Sequence, residues 1–307
     1  MLKSINKIPA GTFLVPMILS AFIYTFWPDL FHVGGLTEGL LSGSGMPFIT
    51  GALSFFSGTG MKLGALKKVV KNHGVLLLVR FIVTIVLGLL YISIFGQGGI
   101  LGISAIAFIV AIGSINPAVY LALVNDFGKE EDKTVFGITS LFAIPLVPVF
   151  IYSLSSAEGF EWMSLISTLI PVILGIILGN IDQEFHKLFG PGVAALLPLL
   201  GWNIGQGLNL IEATQSGLVG LLLVGIYYLV NLYQLPLDTK VLKNNGVASL
   251  SMMSAAGVSL STPAVIGAMN PEYMEYTSTA TAQVLTVVVI TSILTPIIVK
   301  RYSKNKL

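Results

Sequence analysis

The chain has 307 residues, of which 54% are hydrophobic and 10% charged, with a mean hydropathy of +0.89 and a formal net charge of +2. Soluble proteins carry about 25% charged residues, so this composition excludes an ordinary soluble protein and points to a polytopic membrane protein. There are no cysteines, which excludes disulfides and thiolate metal sites.

Ten apolar segments follow one another, near 9–28, 44–62, 74–95, 100–125, 134–154, 161–180, 191–211, 216–236, 246–269 and 277–299. Each is about as long as a bilayer-spanning helix requires, roughly 20 residues. Met1 to Lys7 run straight into the first segment, so no separate leader is expected. Basic residues occupy alternate connections: Lys3 and Lys7; Lys62, Lys67, Lys68 and Lys71; Lys129 and Lys133; Lys187; Lys240 and Lys243; then Lys300, Arg301, Lys304 and Lys306. The other connections hold acids such as Asp29, Glu38, Glu158, Glu212 and Glu272. Fifteen of the 16 Lys and Arg residues thus share one side, and the positive-inside rule places both termini in the cytoplasm.

The fourth segment contains Asn116-Pro117-Ala118-Val119, and 146 residues later the ninth contains Thr262-Pro263-Ala264-Val265. Each pair reads as a helix start, a polar cap followed by proline at the first helical position. A helix that starts mid-membrane implies a break, and open backbone at that depth is tolerated only where it lines a cavity or is buried in protein. Two breaks in corresponding halves point to a transport site. Weaker matches keep the same order: Gly58-Thr59-Gly60 with Gly205-Gln206-Gly207, and Asp126-Phe127 with Glu272-Tyr273. The sequence therefore predicts one all-α membrane domain over 1–307, built as two five-helix repeats, about 1–155 and 156–307. Five is odd, so the second repeat is inverted, and the helix starts in segments 4 and 9 approach from opposite leaflets.

Enzyme readings fail on these residues. His32, His73 and His186 fall at segment ends or in loops, and no acidic residue lies deep in a segment. Ser44 in Gly43-Ser44-Gly45 has no histidine at depth to activate it, and no phosphate-binding loop is present. No cofactor is expected beyond a coupling ion.

Two opposed helix N-termini suit an anionic group, which nominates Asn116, Pro117, Ala118, Ser261, Thr262, Pro263 and Ala264 for substrate. Free carbonyls near Ile112–Ile115 and Ser259–Ser261, with polar side chains, suit a sodium ion. The ligand candidates are Ser114, Asn116, Thr139, Ser259, Thr279 and Gln283. Arg80, about two turns from Lys71, is expected to snorkel to the cytoplasmic headgroups. Gly175 and Gly179 form a small-xxx-small pair of the helix-packing kind.

Several stretches resemble the 2-keto-3-deoxygluconate permease family. They are Ile8-Pro9-Ala10-Gly11-Thr12-Phe13-Leu14-Val15-Pro16, Gly179-Asn180-Ile181-Asp182-Gln183-Glu184, Ser254-Ala255-Ala256-Gly257 with Thr262-Pro263, and Thr291-Ser292-Ile293-Leu294-Thr295-Pro296-Ile297. The resemblance runs end to end. It implies a ten-helix fold similar to bile-acid sodium symporters, with a panel of helices 1, 2, 6 and 7 beside a core of helices 3–5 and 8–10. Broken helices 4 and 9 cross within that core. It also implies import of a sugar acid with a proton. The family pattern has an aspartate near the first break and a glutamate in the fifth helix. Gly113 and Phe142 stand there in this chain, which turns the coupling reading toward sodium held by neutral oxygens.

The expected function is secondary active transport of a small organic anion, 2-keto-3-deoxygluconate or a related sugar acid, by alternating access with sodium or a proton. The alternatives are a sodium symporter of another carboxylate and a passive facilitator or channel. The protein is expected in the bacterial inner membrane, with the lipid bilayer as its surroundings and no nucleic-acid partner. A homo-oligomer is compatible with the sequence.

Overall fold

Leucine, isoleucine and valine runs make the long helices, and proline, glycine and serine decide where they stop. The computed structural model describes residues 5, 11–41, 45–64, 73–129, 132, 136–155, 162–206 and 210–304. The basic residues Lys67, Lys68, Lys71 and Lys133, with Glu158 and Ser44, lie outside the described residues, as do 1–4, 6–10, 207–209 and 305–307. The helices are α1 (Gly11–Phe26), α2 (Gly35–Leu41), α3 (Met46–Thr59), α4 (His73–Phe95), α5 (Ala105–Gly113), α6 (Pro117–Phe127) and α7 (Leu146–Ser155). They continue with α8 (Trp162–Ile181), α9 (Gln183–Phe189), α10 (Gly192–Gln206), α11 (Leu210–Asn231), α12 (Val247–Ser251), α13 (Thr262–Met269) and α14 (Pro271–Lys304). Among the described residues there is no β-strand.

Four stretches are long and apolar enough to cross a membrane: Gly74–Phe95, Ala105–Phe127, Gly217–Val241 and Pro271–Lys304. A fifth is added if α2 and α3 form one span. An apolar outer side is explicit on α4, where Leu78, Ile82, Val86, Leu90 and Ile94 are all exposed. Their spacing of four makes one stripe of an α-helix. The opposite side of α4 buries Leu76, Leu77, Arg80, Thr84 and Tyr91. An apolar outer face around a partly polar interior is the arrangement of an all-α membrane protein.

Helices α1, α3, α8 and α10 pack as two close pairs. A Cβ at Gly175 would sit 2.1 Å from the Phe55 carbonyl oxygen, and one at Gly179 2.1 Å from that of Thr59. The small-xxx-small pair therefore brings α8 against α3, as its spacing suggests. A Cβ at Gly205 would sit 2.2 Å from the Met17 carbonyl oxygen, so α10 and α1 approach as closely. Asn180 ties the end of α3 to α8: its Nδ2 donates to the Met61 carbonyl at 2.7 Å, and its Oδ1 accepts from the Leu63 amide at 2.9 Å. Asp182 then caps α9, accepting from the Glu184 amide at 2.9 Å. The remaining helices, α4 to α7 and α11 to α14, surround the two breaks.

Candidate functional site

The first break follows a wholly buried half-helix. Ser104 caps α5 by accepting from the Ala107 amide at 3.2 Å, and Ala105 to Gly113 are all buried. The chain extends through Ser114 to Asn116, then turns helical at Pro117. Asn116 Oδ1 accepts from the amides of Ala118 at 3.1 Å and Val119 at 3.2 Å, the bonds an N-cap makes. The Asn116 carbonyl accepts from the Tyr120 amide at 3.0 Å, and Pro117 has no N–H to offer. The first turn of α6 has thus used its own donors, leaving its dipole rather than free N–H groups to act on an anion.

The second break is built differently. Helix α12 ends at Ser251, the chain runs through Met252 to Ala256, and a 3₁₀ turn over Gly257–Ser261 leads into α13. Thr262 already has helical angles (φ −62°, ψ −42°), and its amide donates to the Ser259 carbonyl. It is therefore inside the helix, which corrects its expected role as a cap. The residue before it, Ser261, turns its hydroxyl back to the Val258 carbonyl at 2.9 Å. Thr262 Oγ1 is buried and has no hydrogen-bond partner among the described residues.

The two breaks meet. The Asn116 amide donates to the Ser254 carbonyl at 2.6 Å, and its Nδ2 reaches the Ala255 carbonyl at 3.4 Å. Ser114 Oγ accepts from the Ala256 amide at 2.9 Å and lies 2.7 Å from Ser259 Oγ. Ser259 gives its single hydrogen to the Ala143 carbonyl at 3.0 Å, so Ser114 is the donor between the two hydroxyls. From α14, Thr291 Oγ1 accepts from the Ala255 amide at 2.9 Å, and Thr295 donates to the Met253 carbonyl. A buried donor without an acceptor is costly, and these side chains satisfy the backbone that the breaks expose.

Arg80 completes the crossing. It is 0% exposed. Its guanidinium donates to the Met252 carbonyl at 3.2 Å, Ile112 at 3.1 Å and Ser114 at 2.7 Å, and lies 5.9 Å from the centroid of the Tyr227 ring. Asn231 Nδ2 also reaches the Ile112 carbonyl, at 3.4 Å. This overturns the snorkelling expectation: Arg80 points inward, where orphan carbonyls at the ends of α5 and α12 accept its donors. Carbonyls expected to face a sodium ion, those of Ile112 and Ser114, hold a guanidinium instead.

Other nominated ligands lie further away. Thr279 Oγ1 bonds back to the Tyr276 carbonyl at 3.1 Å, and Gln283 Nε2 donates to Gly102 at 2.7 Å with its Oε1 buried and unpartnered among the described residues. They precede Thr291 on α14 by about 18 and 12 Å at 1.5 Å rise per residue. Thr139 is fully buried before the Ser140–Phe142 turn. A cavity of about 380 Å³ opens between α13 and helices α3, α7 and α8. Ala264 and Val265 line it on one side, Ser167 and Thr168 on the other. Pro117 is half-buried and Ala118 exposed at the start of α6.

Reading the sequence by segment missed the buried carboxylates. Asp238, two residues beyond the predicted end of the eighth segment, is 0% exposed; it accepts from Asn244 Nδ2 at 2.8 Å and the Ser249 amide at 3.4 Å. Asp132 is also buried, and its Oδ2 accepts from the Lys129 amide at 2.7 Å. Among the described residues no cluster of His, Asp and Glu could hold a metal ion.

Residues 2–307 match the 2-keto-3-deoxygluconate permease family. The chain belongs to that family. It is 30% identical over 305 residues to 2-keto-3-deoxygluconate permease 1 of Salmonella typhimurium, covering 99% of this chain and 96% of the relative. It is also 30% identical to the 2-keto-3-deoxygluconate permeases of Xanthomonas axonopodis pv. citri (98% and 96% covered) and Escherichia coli (99% and 94% covered). Members of the permease family are transporters rather than enzymes.

Proposed function

We propose that the protein is a secondary active transporter that carries 2-keto-3-deoxygluconate, or a related sugar acid, together with a cation by alternating access. The observation that carries this reading is the meeting of two broken helices, whose backbones bond to each other through Asn116 and Ser254. Broken helices at a repeat interface are where transporters place their substrate. The relatives' names supply the sugar acid. In this reading the carboxylate lies between the starts of α6 and α13, near Asn116 Nδ2 and the unpartnered Thr262 hydroxyl. Pro117, Ala118, Ser261, Pro263 and Ala264 shape the surrounding backbone. The coupling cation is a proton or sodium; of the nominated oxygens those of Ser114 and Ser259 lie together where the breaks meet, whereas Thr279 and Gln283 lie too far back along α14 to share one ion with them.

The same proposal includes ten spans in two inverted repeats. Four shorter apolar helices, Val15–Phe26, Leu146–Ser155, Ile166–Ile181 and Gly257–Met269, add to the five counted above, and α10 makes the tenth. At the offset of 147 that relates Gly58 to Gly205, both glycines allow a close helix approach. The close pairing of α1, α3, α8 and α10 supports a panel beside a core. The one-sided distribution of the basic residues supports both termini lying in the cytoplasm of the bacterial cell.

The test is uptake of 2-keto-3-deoxygluconate into proteoliposomes under an imposed sodium gradient, proton gradient, or neither. Accumulation above equilibrium under one of the two gradients is expected. Equilibration alone would make the protein a facilitator.

A further inference from the structure

The crossing gathers four helix ends. Two bring the positive ends of their dipoles, at α6 and α13; two bring carbonyls, at the ends of α5 and α12. Carbonyls buried in protein at membrane depth need a partner, and in a carrier a mobile metal cation is one candidate. Here that partner is covalently attached. Arg80 donates to carbonyls from both half-helices, Ile112 and Ser114 on one side and Met252 on the other. Tyr227, which stands at the same 147-residue offset from Arg80 as Gly205 from Gly58, lies within 3.3 Å of the Ser114 carbonyl and 3.5 Å of the Met252 carbonyl through its hydroxyl.

The charge balance is unusual. A guanidinium stays protonated in proteins, and a buried charge ordinarily has a counter-ion. Among the described residues no carboxylate pairs with Arg80, whose partners are carbonyl dipoles and a ring face. One of its donors, Nε, is left without a partner. Among the described residues the Arg80 charge is thus held by dipoles and a ring face, with no carboxylate paired to it.

We propose that Arg80 is the resident cation of the crossing: it takes the position of a co-bound metal ion, and its charge balances the carboxylate of the substrate. It acts through the carbonyl ends that it holds, as a positioning residue with a charge. The inference rests on the sugar-acid reading for its substrate and on geometry alone for its cation. It has two consequences. Substrate binding needs no sodium or potassium. Removing the charge creates a vacancy that a small cation can fill.

Isothermal titration of the wild-type protein with 2-keto-3-deoxygluconate, in choline buffer free of sodium and potassium, tests the first. The expected Kd lies within about threefold of that in sodium buffer, a difference well under 1 kcal/mol; binding seen only with sodium overturns the proposal. Arg80→Gln keeps N–H donors but loses the charge. It is expected to weaken binding at least about tenfold, with partial recovery in methylguanidinium, and Arg80→Lys is expected to retain most of the affinity. Wild-type affinity in Arg80→Gln without any added cation overturns the proposal. If no buffer supports binding of this sugar acid, the substrate reading has failed rather than this one. Thermal unfolding of the wild-type protein then decides: a midpoint indifferent to sodium supports a resident cation, and a midpoint raised by sodium overturns it.

Discussion

The first break runs only from Ser114 to Asn116, whereas the second runs from Met252 to Ser261 and includes a 3₁₀ turn. Both place proline in the first turn of the next helix. In the first, the chain arrives extended, so the initial amides of α6 have no carbonyl behind them and Asn116 supplies an oxygen. In the second, the chain arrives already turning, and the Ser259 carbonyl takes the Thr262 amide. A cap-plus-proline pair in a sequence thus marks where a helix resumes, but the residues before it decide whether the polar side chain is spent on the cap. Asn116 is spent, and Thr262 is left over.

The largest expected effect comes from Ser114, which joins the two breaks. Ser114→Ala removes the acceptor for the buried Ala256 amide and the donor to Ser259. Leaving one buried group unsatisfied costs about 1–3 kcal/mol, so a clear fall in the denaturation midpoint in detergent is expected. Thr291→Val strands the Ala255 amide in the same way and should behave alike. If both variants melt like wild type, the breaks do not depend on each other's side chains and the crossing described here is wrong.

Those contacts show what a sequence can and cannot disclose. The lipid-facing apolar runs, the two resumption points and the close approach at Gly175 and Gly179 follow from local chemistry and were legible. Arg80 was not. Seen along the chain it lies near Lys71, and long basic side chains near a segment end commonly reach for headgroups. Its inward turn depends on Ile112 and Met252, which only the tertiary fold brings within reach. Thr291 and Thr295 were equally hidden, because membrane threonines by default bond back to their own helix, as Thr279 and Thr281 do here. Their i, i+4 spacing, which puts both on one face, was the available signal. Asp238 escaped because its segment, read by hydropathy, ends before the π-helical turn Leu237–Val241 that holds it.

Asn116 gives an intermediate effect and a sharper contrast. Asn116→Ala should destabilise by about 0.5–2 kcal/mol through the lost cap. Asn116→Asp restores the cap oxygen but loses the Nδ2 bond to Ala255 and sets a negative charge beside the proposed carboxylate. Its stability should lie near wild type while its affinity for the sugar acid falls below that of alanine. An aspartate variant that binds like wild type, with an alanine variant that does not, would reduce Asn116 to a cap.

The smallest effect on stability is expected at Thr262, and for that reason it isolates binding from folding best. Its hydroxyl is buried without a partner among the described residues, so valine, which matches its shape, removes an unsatisfied polar atom. Replacing such a group by an apolar one is nearly neutral or stabilising, and valine keeps the β-branched shape at the start of α13. Thr262→Val should therefore melt at or slightly above the wild-type temperature. If the hydroxyl waits for the substrate, the same variant should bind the sugar acid about 10–150-fold more weakly, the equivalent of roughly 1.5–3 kcal/mol for one hydrogen bond to a charged group. Asn116→Ala loses stability and affinity together, so it cannot separate the two roles. Thr262→Val moves them in opposite directions or leaves affinity untouched. Unchanged affinity in a well-folded Thr262→Val would remove the second break from the substrate site and leave the first to hold the carboxylate alone.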